Sequence, residues 1–104
     1  MNNSNINSMA EAAFNHAAKK LELKEKSQQQ LYVAHNGGLF KAAPELITFL
    51  SIVEVDVIED SYGNPIRIER EKLLDELKQC YQTIMNDWEV EYQKILRIRN
   101  GKQI

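Results

Sequence analysis

His35 is the residue best suited to acid–base chemistry in this sequence, and it stands directly before an Asn36-Gly37 pair. Its candidate carboxylate partners are Glu54 and Asp56, which would share one face of a strand because strand side chains alternate. Such a set could serve a small enzyme in which histidine moves a proton. The favoured interpretation is structural: His35 flanks a tight turn, and Glu54 and Asp56 lie on a solvated strand face.

Metal-ligand spacing is absent from the sequence. His16 and His35 each lack a second histidine three or four residues away, and no cysteine stands near either one. The densest carboxylate group is Glu54, Asp56, Glu59 and Asp60. These side chains could bind a divalent cation or a basic partner, but they lack the ligand spacing of an EF-hand loop. The outer face of a hairpin is the favoured interpretation.

The other candidates for chemistry also have structural explanations. Cys80 falls at the edge of a helical apolar stripe, where a free cysteine is usually core, and a nucleophile would need a base and a positive environment. The glycines after His35 could form an anion-binding nest, but the Walker and dinucleotide-binding patterns are missing. We therefore predict no catalytic residue, no metal site and no cofactor.

Overall charge argues against a nucleic-acid protein without excluding one. Lysine and arginine number 13 against 15 aspartates and glutamates, which gives a formal charge of −2 and a pI near 5.7. Nucleic-acid binders usually carry a basic face. The residues that could contact phosphates are Lys19, Lys20, Lys24, Lys26, Arg97 and Arg99. Glu22 and Glu25 offset the lysines, so a nucleic-acid accessory protein remains an alternative.

Length and composition predict one domain over residues 1–104, with residues 1–6 expected to fray. A single cysteine cannot form an internal disulfide, which fits a reducing compartment. No signal-peptide pattern follows Met1, and the longest apolar stretch, about residues 46–53, is too short to span a bilayer. We expect a cytoplasmic protein with no membrane partner.

Local patterns predict an α+β fold. Ser8, with Glu11 three residues later, or Asn7 beside it, is a candidate cap for an N-terminal helix whose apolar stripe is Ala10, Ala13, Phe14, Ala17 and Leu21. Asn36-Gly37 predicts a first hairpin over residues 31–42, and Pro44 predicts a short helix to about Ser51. Alternation from Val53 to Val57, turn residues 60–65 and alternation over residues 66–69 predict a second hairpin. The two hairpins are expected to form a small antiparallel sheet.

The clearest element is a C-terminal amphipathic helix from about Glu71 to Arg99, which contains no glycine or proline. About 28 residues at about 1.5 Å each would give roughly 42 Å, more than the width of a compact domain of this size. Part of its stripe therefore needs cover, either from the N-terminal helix or from a second copy. The predicted oligomer interface consists of Tyr81, Ile84, Trp88, Tyr92, Ile95 and Ile98.

The run from Val57 to Ile66, followed by Glu71-Lys72-Leu73-Leu74 and a long helix with Trp88, resembles small uncharacterised proteins of contractile-tailed marine bacteriophages. With Leu39-Phe40-Lys41 and Pro44-Glu45, the resemblance covers about residues 31–96. It implies a structural or accessory role in a phage-infected bacterial cytoplasm or a virion, and it assigns no site residue. We therefore predict a non-catalytic interaction protein that forms a homodimer or larger oligomer and possesses no enzymatic activity.

Overall fold

The computed structural model describes the backbone of residues 3–99 and the side-chain burial of residues 16–97. The predicted α+β class is confirmed. The elements in chain order are α1 (Asn3–Gln30), β1 (Tyr32–His35), β2 (Gly38–Lys41), α2 (Pro44–Ile52), β3 (Val57–Glu59), β4 (Pro65–Arg67) and α3 (Arg70–Arg99).

The chain divides into two compact units. Residues 29–85 form the α+β unit, which holds both hairpins, α2 and the first half of α3. Residues 1–28 and 86–104 form the helical unit, whose described part consists of α1 and the second half of α3. Because two compact units can still fold together, the single domain stays a prediction.

Helix α1 is longer than its sequence pattern indicated. It begins at Asn3, so the predicted start at Ser8 or Asn7 is wrong, and it continues through the polar run after Lys26 to Gln30. Asparagine and serine are weak helix formers but not helix breakers, and a helix that has already nucleated adds such residues at small cost. The fraying of residues 1–6 stays a prediction.

The first hairpin has the turn that its sequence predicts. Strands β1 and β2 pair antiparallel from Tyr32 opposite Lys41 to His35 opposite Gly38. Asn36 and Gly37 have φ values of 48° and 84°. Positive φ at both central positions matches the twist of the strands, which is why Asn-Gly suits a two-residue hairpin turn.

The second hairpin is shorter than predicted. Its strands pair from Val57 opposite Arg67 to Glu59 opposite Pro65. The predicted strand start at Val53 is wrong because α2 runs to Ile52 and the Val53 N–H caps it by donating to the Phe49 carbonyl at 2.8 Å. Residues 53–56 therefore link α2 to β3 outside the strand, although the Asp56 carbonyl accepts from the Ile68 N–H at 2.8 Å.

The two hairpins form separate two-stranded sheets, which corrects the expectation of a single sheet. Leu39 in β2 joins them from its backbone: its N–H donates to Asp60 Oδ2 at 3.1 Å, and its carbonyl accepts from the Ser61 N–H at 2.8 Å. The Asn36 side chain also donates to the Arg67 carbonyl at 3.0 Å. Side-chain and turn hydrogen bonds thus replace the strand ladder that would have merged the sheets.

A single apolar core lies in the α+β unit. Its buried members are Leu31, Phe40, Ala42, Leu50, Ile68, Leu73 and Leu77. Leu73 and Leu77 are one helical turn apart on α3, so the helix presents them on one face. Arg70 links the start of α3 to the end of α2, because its Nε–H donates to the Val53 carbonyl at 3.0 Å. The hairpins, α2 and the first half of α3 therefore share one set of packed side chains.

Candidate functional site

His35 is buried and both of its ring nitrogens face protein groups. Nε2 accepts a hydrogen bond from the Glu69 backbone N–H at 3.1 Å, directly before α3 begins. The proton of this tautomer is therefore on Nδ1, which lies 3.7 Å from Glu76 Oε1. The ring also meets Phe40 edge-on, with centroids 6.4 Å apart. Because the Nε2 lone pair is already engaged, His35 is placed as a structural acceptor at the start of a helix.

Glu54 and Asp56 lie elsewhere, on an open cleft of about 590 Å³. The cleft is lined by Glu54, Val55, Asp56, Glu69, Arg70, Glu71 and Lys72. His35 is not among the lining residues, so the structure does not assemble the predicted combination of histidine and carboxylates in one pocket. Within the described residues, no group of three or more His, Cys, Asp or Glu side chains is placed to hold a metal ion.

Asp60 belongs to the predicted acidic set, but it is buried and organises the turn of the second hairpin. Its Oδ1 accepts from the Tyr62 N–H at 3.0 Å and the Asn64 N–H at 2.9 Å, while Oδ2 accepts from Leu39. The bond from Asn64 is the main cause that lowers the pKa of Asp60 below its ordinary 3.8. Burial opposes the shift, and the bonds from Leu39 and Tyr62 add to it.

We expect Asp60→Asn to lower the melting temperature at neutral pH, because the amide retains one acceptor but directs a donor at the other N–H partners. The folded-state pKa is lowered, so the carboxylate contributes stability that is fully present above the unfolded value of about 3.9. That stability is lost as the pH falls through the folded-state pKa. Circular dichroism melts at a series of pH values should show wild type and variant converging in acid.

The matched control for this prediction is Asp56→Asn, which changes an exposed carboxylate four residues before Asp60. It should melt close to wild type across the series. A gap between wild type and Asp60→Asn that stays constant down to strong acid would contradict the role of the Asp60 carboxylate.

Cys80 is half-buried and packs against the core, as its position in the stripe predicts. Its Sγ lies 3.7 Å from the Gln30 carbonyl oxygen. Burial raises the pKa of the Cys80 thiol, and this outweighs the lowering caused by the Tyr32 backbone hydrogen bond. A raised pKa keeps the group a thiol at neutral pH, which disfavours nucleophilic chemistry.

The predicted oligomer interface spans two environments. Tyr81 and Ile84 pack against the core of the α+β unit, while Trp88, Tyr92 and Ile95 are half-buried in the helical unit. Ile98 lies outside the residues whose burial the structure describes. The part of the predicted interface that does not pack against that core is therefore its C-terminal half.

In the helical unit, α1 covers part of the α3 stripe. The Lys20 ammonium lies 5.4 Å from the centroid of the Tyr92 ring, which is the geometry of a cation–π contact. Nevertheless, none of the large apolar side chains described in this unit is fully buried. Leu21 is 57% exposed and Val90 is 54% exposed. The helix pair thus leaves apolar surface on both helices in contact with water.

The side of α1 that is shielded differs from the apolar stripe that its sequence predicts. The shielded residues are His16, Lys20, Leu23, Ser27 and Gln28, and the first four recur at helical spacing. Ala17 and Leu21, the two described members of the predicted stripe, are exposed. Lys20 can face α3 because its ammonium stacks on an aromatic ring, a contact that hydrophobic periodicity does not detect. The lysine-to-ring contact is therefore one feature that sequence reasoning missed.

Comparisons of the chain with protein-family models, with curated proteins and with solved structures give no significant match. The resemblance to phage proteins therefore stays a prediction. Among the described residues, no helix is both long and apolar enough to cross a membrane.

Proposed function

We propose that this protein is a non-catalytic interaction protein that self-associates through the C-terminal half of α3. The observation that carries the proposal is the incomplete burial of the stripe: Trp88, Tyr92 and Ile95 remain half-buried although Lys20 of α1 lies over the Tyr92 ring. Aromatic side chains of this kind are enriched at protein interfaces because they bury a large area at low entropic cost.

The free energy of burying apolar surface favours further covering of the α3 stripe. Removing apolar surface from water is favourable by about 25 cal/mol per Å², and two helices side by side can bury only one face of each other. Helices in proteins gain most of their stability from packing an amphipathic face. A second copy supplies an identical stripe, and a two-fold contact buries both at once. A structural or accessory role in a phage-infected cell is the sharper form of the proposal, and it rests on the sequence resemblance.

The catalytic alternative receives less support. The one buried histidine has its acceptor nitrogen occupied by a backbone N–H, and the cysteine is a core thiol with a raised pKa. The nucleic-acid alternative is also weakened, because the Lys20 ammonium is engaged with Tyr92 and residues 86–99 of α3 carry no net charge, with Asp87, Glu89 and Glu91 balanced by Lys94, Arg97 and Arg99. Interaction with another protein chain is the function that these contacts favour.

The test is solution mass by light scattering after size exclusion, with Trp88→Glu/Ile95→Glu alongside wild type. We expect a wild-type dimer or larger oligomer that dissociates on dilution, and a monomeric double variant, because two buried charges would face each other across the contact. The control is Ile52→Glu, which changes an apolar residue that is 74% exposed in the α+β unit and should leave the mass unchanged. A wild-type protein that is monomeric at every concentration would overturn the proposal.

A further inference from the structure

We infer that His35 is a pH-sensitive switch at the start of α3: its protonation replaces the hydrogen bond from Glu69 with an ion pair to Glu76. All three residues lie in the α+β unit, so the inference does not depend on the proposed self-association. It concerns the one contact through which the side chain of His35 holds the first turn of the long helix.

The His35 ring supplies an acceptor that the helix itself lacks. Glu69 is the capping residue of α3, because its carbonyl accepts from the Leu73 N–H at 2.8 Å. In many helices a Glu or Gln three residues after the capping residue accepts that residue's own N–H. The corresponding position here is Lys72, whose ammonium is a donor only. The Glu69 N–H donates instead to His35 Nε2 at 3.1 Å.

Protonation removes this acceptor. Neutral imidazole has one acceptor nitrogen, whereas imidazolium has two donors and no acceptor. Nδ1 already carries the proton in the observed tautomer, so a second proton must enter at Nε2, where it faces the Glu69 N–H. Two N–H donors cannot bond to each other. The hydrogen bond that holds the start of α3 is therefore incompatible with a charged ring.

The same proton strengthens the attraction on the other side of the ring. Glu76 Oε1 lies 3.7 Å from Nδ1, which is longer than a hydrogen bond but within the range of an ion pair. A charge-assisted N–H···O bond is about 2.8 Å long, so a charged ring is drawn toward Glu76. The His35 side chain is only 2% exposed, so water cannot hydrate the charge and a protein partner has to balance it. Repulsion from Glu69 and attraction to Glu76 thus favour the same displacement.

Other charged groups around the ring do not provide this switch. The charged side chains on the elements next to His35, apart from Glu76, are Lys41, Asp60, Arg67, Glu69 and Lys72. Lysine, arginine and ordinary carboxylates titrate outside the range from about pH 5 to about pH 8 in which histidine changes charge. Glu69 and Lys72 pair with each other at 3.7 Å on the surface. The pKa of Asp60 is lowered by its backbone hydrogen bonds, chiefly the one from Asn64, so Asp60 stays ionised throughout.

The displacement has a local consequence. The Glu69 bond is present while His35 is neutral and is lost as the pH falls through the titration of the ring. Leu73 and Leu77 stay in the core, because apolar contacts carry no titrating group. The first turn of α3 therefore separates from the first hairpin in mild acid, while the rest of the helix keeps its packing.

The experiment measures amide hydrogen exchange by NMR in the full-length chain from about pH 7.5 to about pH 5.5. The protection factor, which corrects for the intrinsic pH dependence of exchange, should fall roughly fivefold or more at the Glu69 amide, as expected for one lost hydrogen bond. The fall should share its midpoint with the His35 ring proton shifts. The Val53 amide, which donates to the Phe49 carbonyl in the same unit, should keep its protection and serves as the internal reference.

Two variants separate the steps. His35→Gln retains an acceptor but cannot be protonated in this range, so protection at Glu69 should not change with pH. In Glu76→Gln the ring loses its counter-charge, so fewer rings are protonated at about pH 5.5 and the fall should be smaller than in wild type.

Several outcomes would overturn the inference. One is a His35 ring that titrates while Glu69 protection stays constant, and another is a ring that stays neutral down to about pH 5. Equal loss at Glu69 and Val53 would show general unfolding in place of a local switch. The same pH dependence in His35→Gln as in wild type would assign the change to another group, and a wild-type response in Glu76→Gln would remove the ion pair from the switch.

Discussion

Gly38→Val is expected to lower the free energy of unfolding by about 1–3 kcal/mol, the usual cost of forcing extra volume into a packed site. A Cβ placed on Gly38 would lie 2.7 Å from Cγ1 of Ile66 and 3.0 Å from Cε2 of Phe40. Phe40 is held in the core, and Ile66 belongs to the opposing hairpin. The Ile66 and Phe40 side chains, or the hairpins that carry them, would have to shift to make room. Urea denaturation of wild type and variant measures the change.

The steric origin of this loss can be tested with Ile66→Ala, which removes the γ- and δ-carbons that crowd the site. The double variant should lose less stability than the sum of the two single variants, because the clash is relieved. Gly37→Ala is the contrasting control. Its Cβ would meet nothing within 4 Å, so a loss of stability there would come from the φ of 84° and not from a clash. Additive losses for Gly38→Val and Ile66→Ala would show that contact between the hairpins is not the cause.

His35→Phe is expected to destabilise the protein by about 1–3 kcal/mol, the cost of leaving a buried hydrogen-bonding group unpaired. Phenylalanine retains a flat ring beside Phe40 but cannot accept the Glu69 N–H that Nε2 now accepts. The first N–H groups of a helix have no partner within the helix, so an external acceptor contributes directly to stability. Thermal and urea unfolding of the purified variant measure the effect.

His35→Gln is the matched control, because its side-chain oxygen can reach the position of Nε2 and accept the same bond. It should be less destabilising than His35→Phe despite the loss of the ring. The opposite order, with glutamine worse than phenylalanine, would mean that ring packing against Phe40 outweighs the hydrogen bond to the start of α3.

Elements whose signals are local could be predicted from the sequence. The Asn36-Gly37 turn follows from the need for positive φ at two adjacent residues, and α3 follows from an apolar stripe uninterrupted by glycine or proline. Pro44 likewise begins α2, where its missing N–H costs nothing. These predictions needed only the conformational preferences of single residues and a periodicity of about 3.6.

Features that depend on contacts distant in sequence could not be predicted. The sequence predicts that Asp60 is a solvated carboxylate. Only the approach of Leu39, 21 residues earlier, shows that it is a buried hydrogen-bond acceptor. The shielded face of α1 was predicted from its alanines, but Lys20 takes that place by stacking on Tyr92. The start of β3 was misplaced because α2 extends to Ile52. In each case a tertiary contact overrides a local preference.

The position of the core has a thermodynamic consequence. Every fully buried apolar side chain among the described residues lies between Leu31 and Leu77. The free energy of local opening is therefore highest in that segment. The backbone hydrogen bonds of the helical unit can break locally at a smaller free energy. If copies associate through those helices, mass action stabilises the closed form. The amide hydrogens of α1 would then exchange with solvent more slowly as the protein concentration rises. Self-association and the local order of α1 would be linked in one equilibrium.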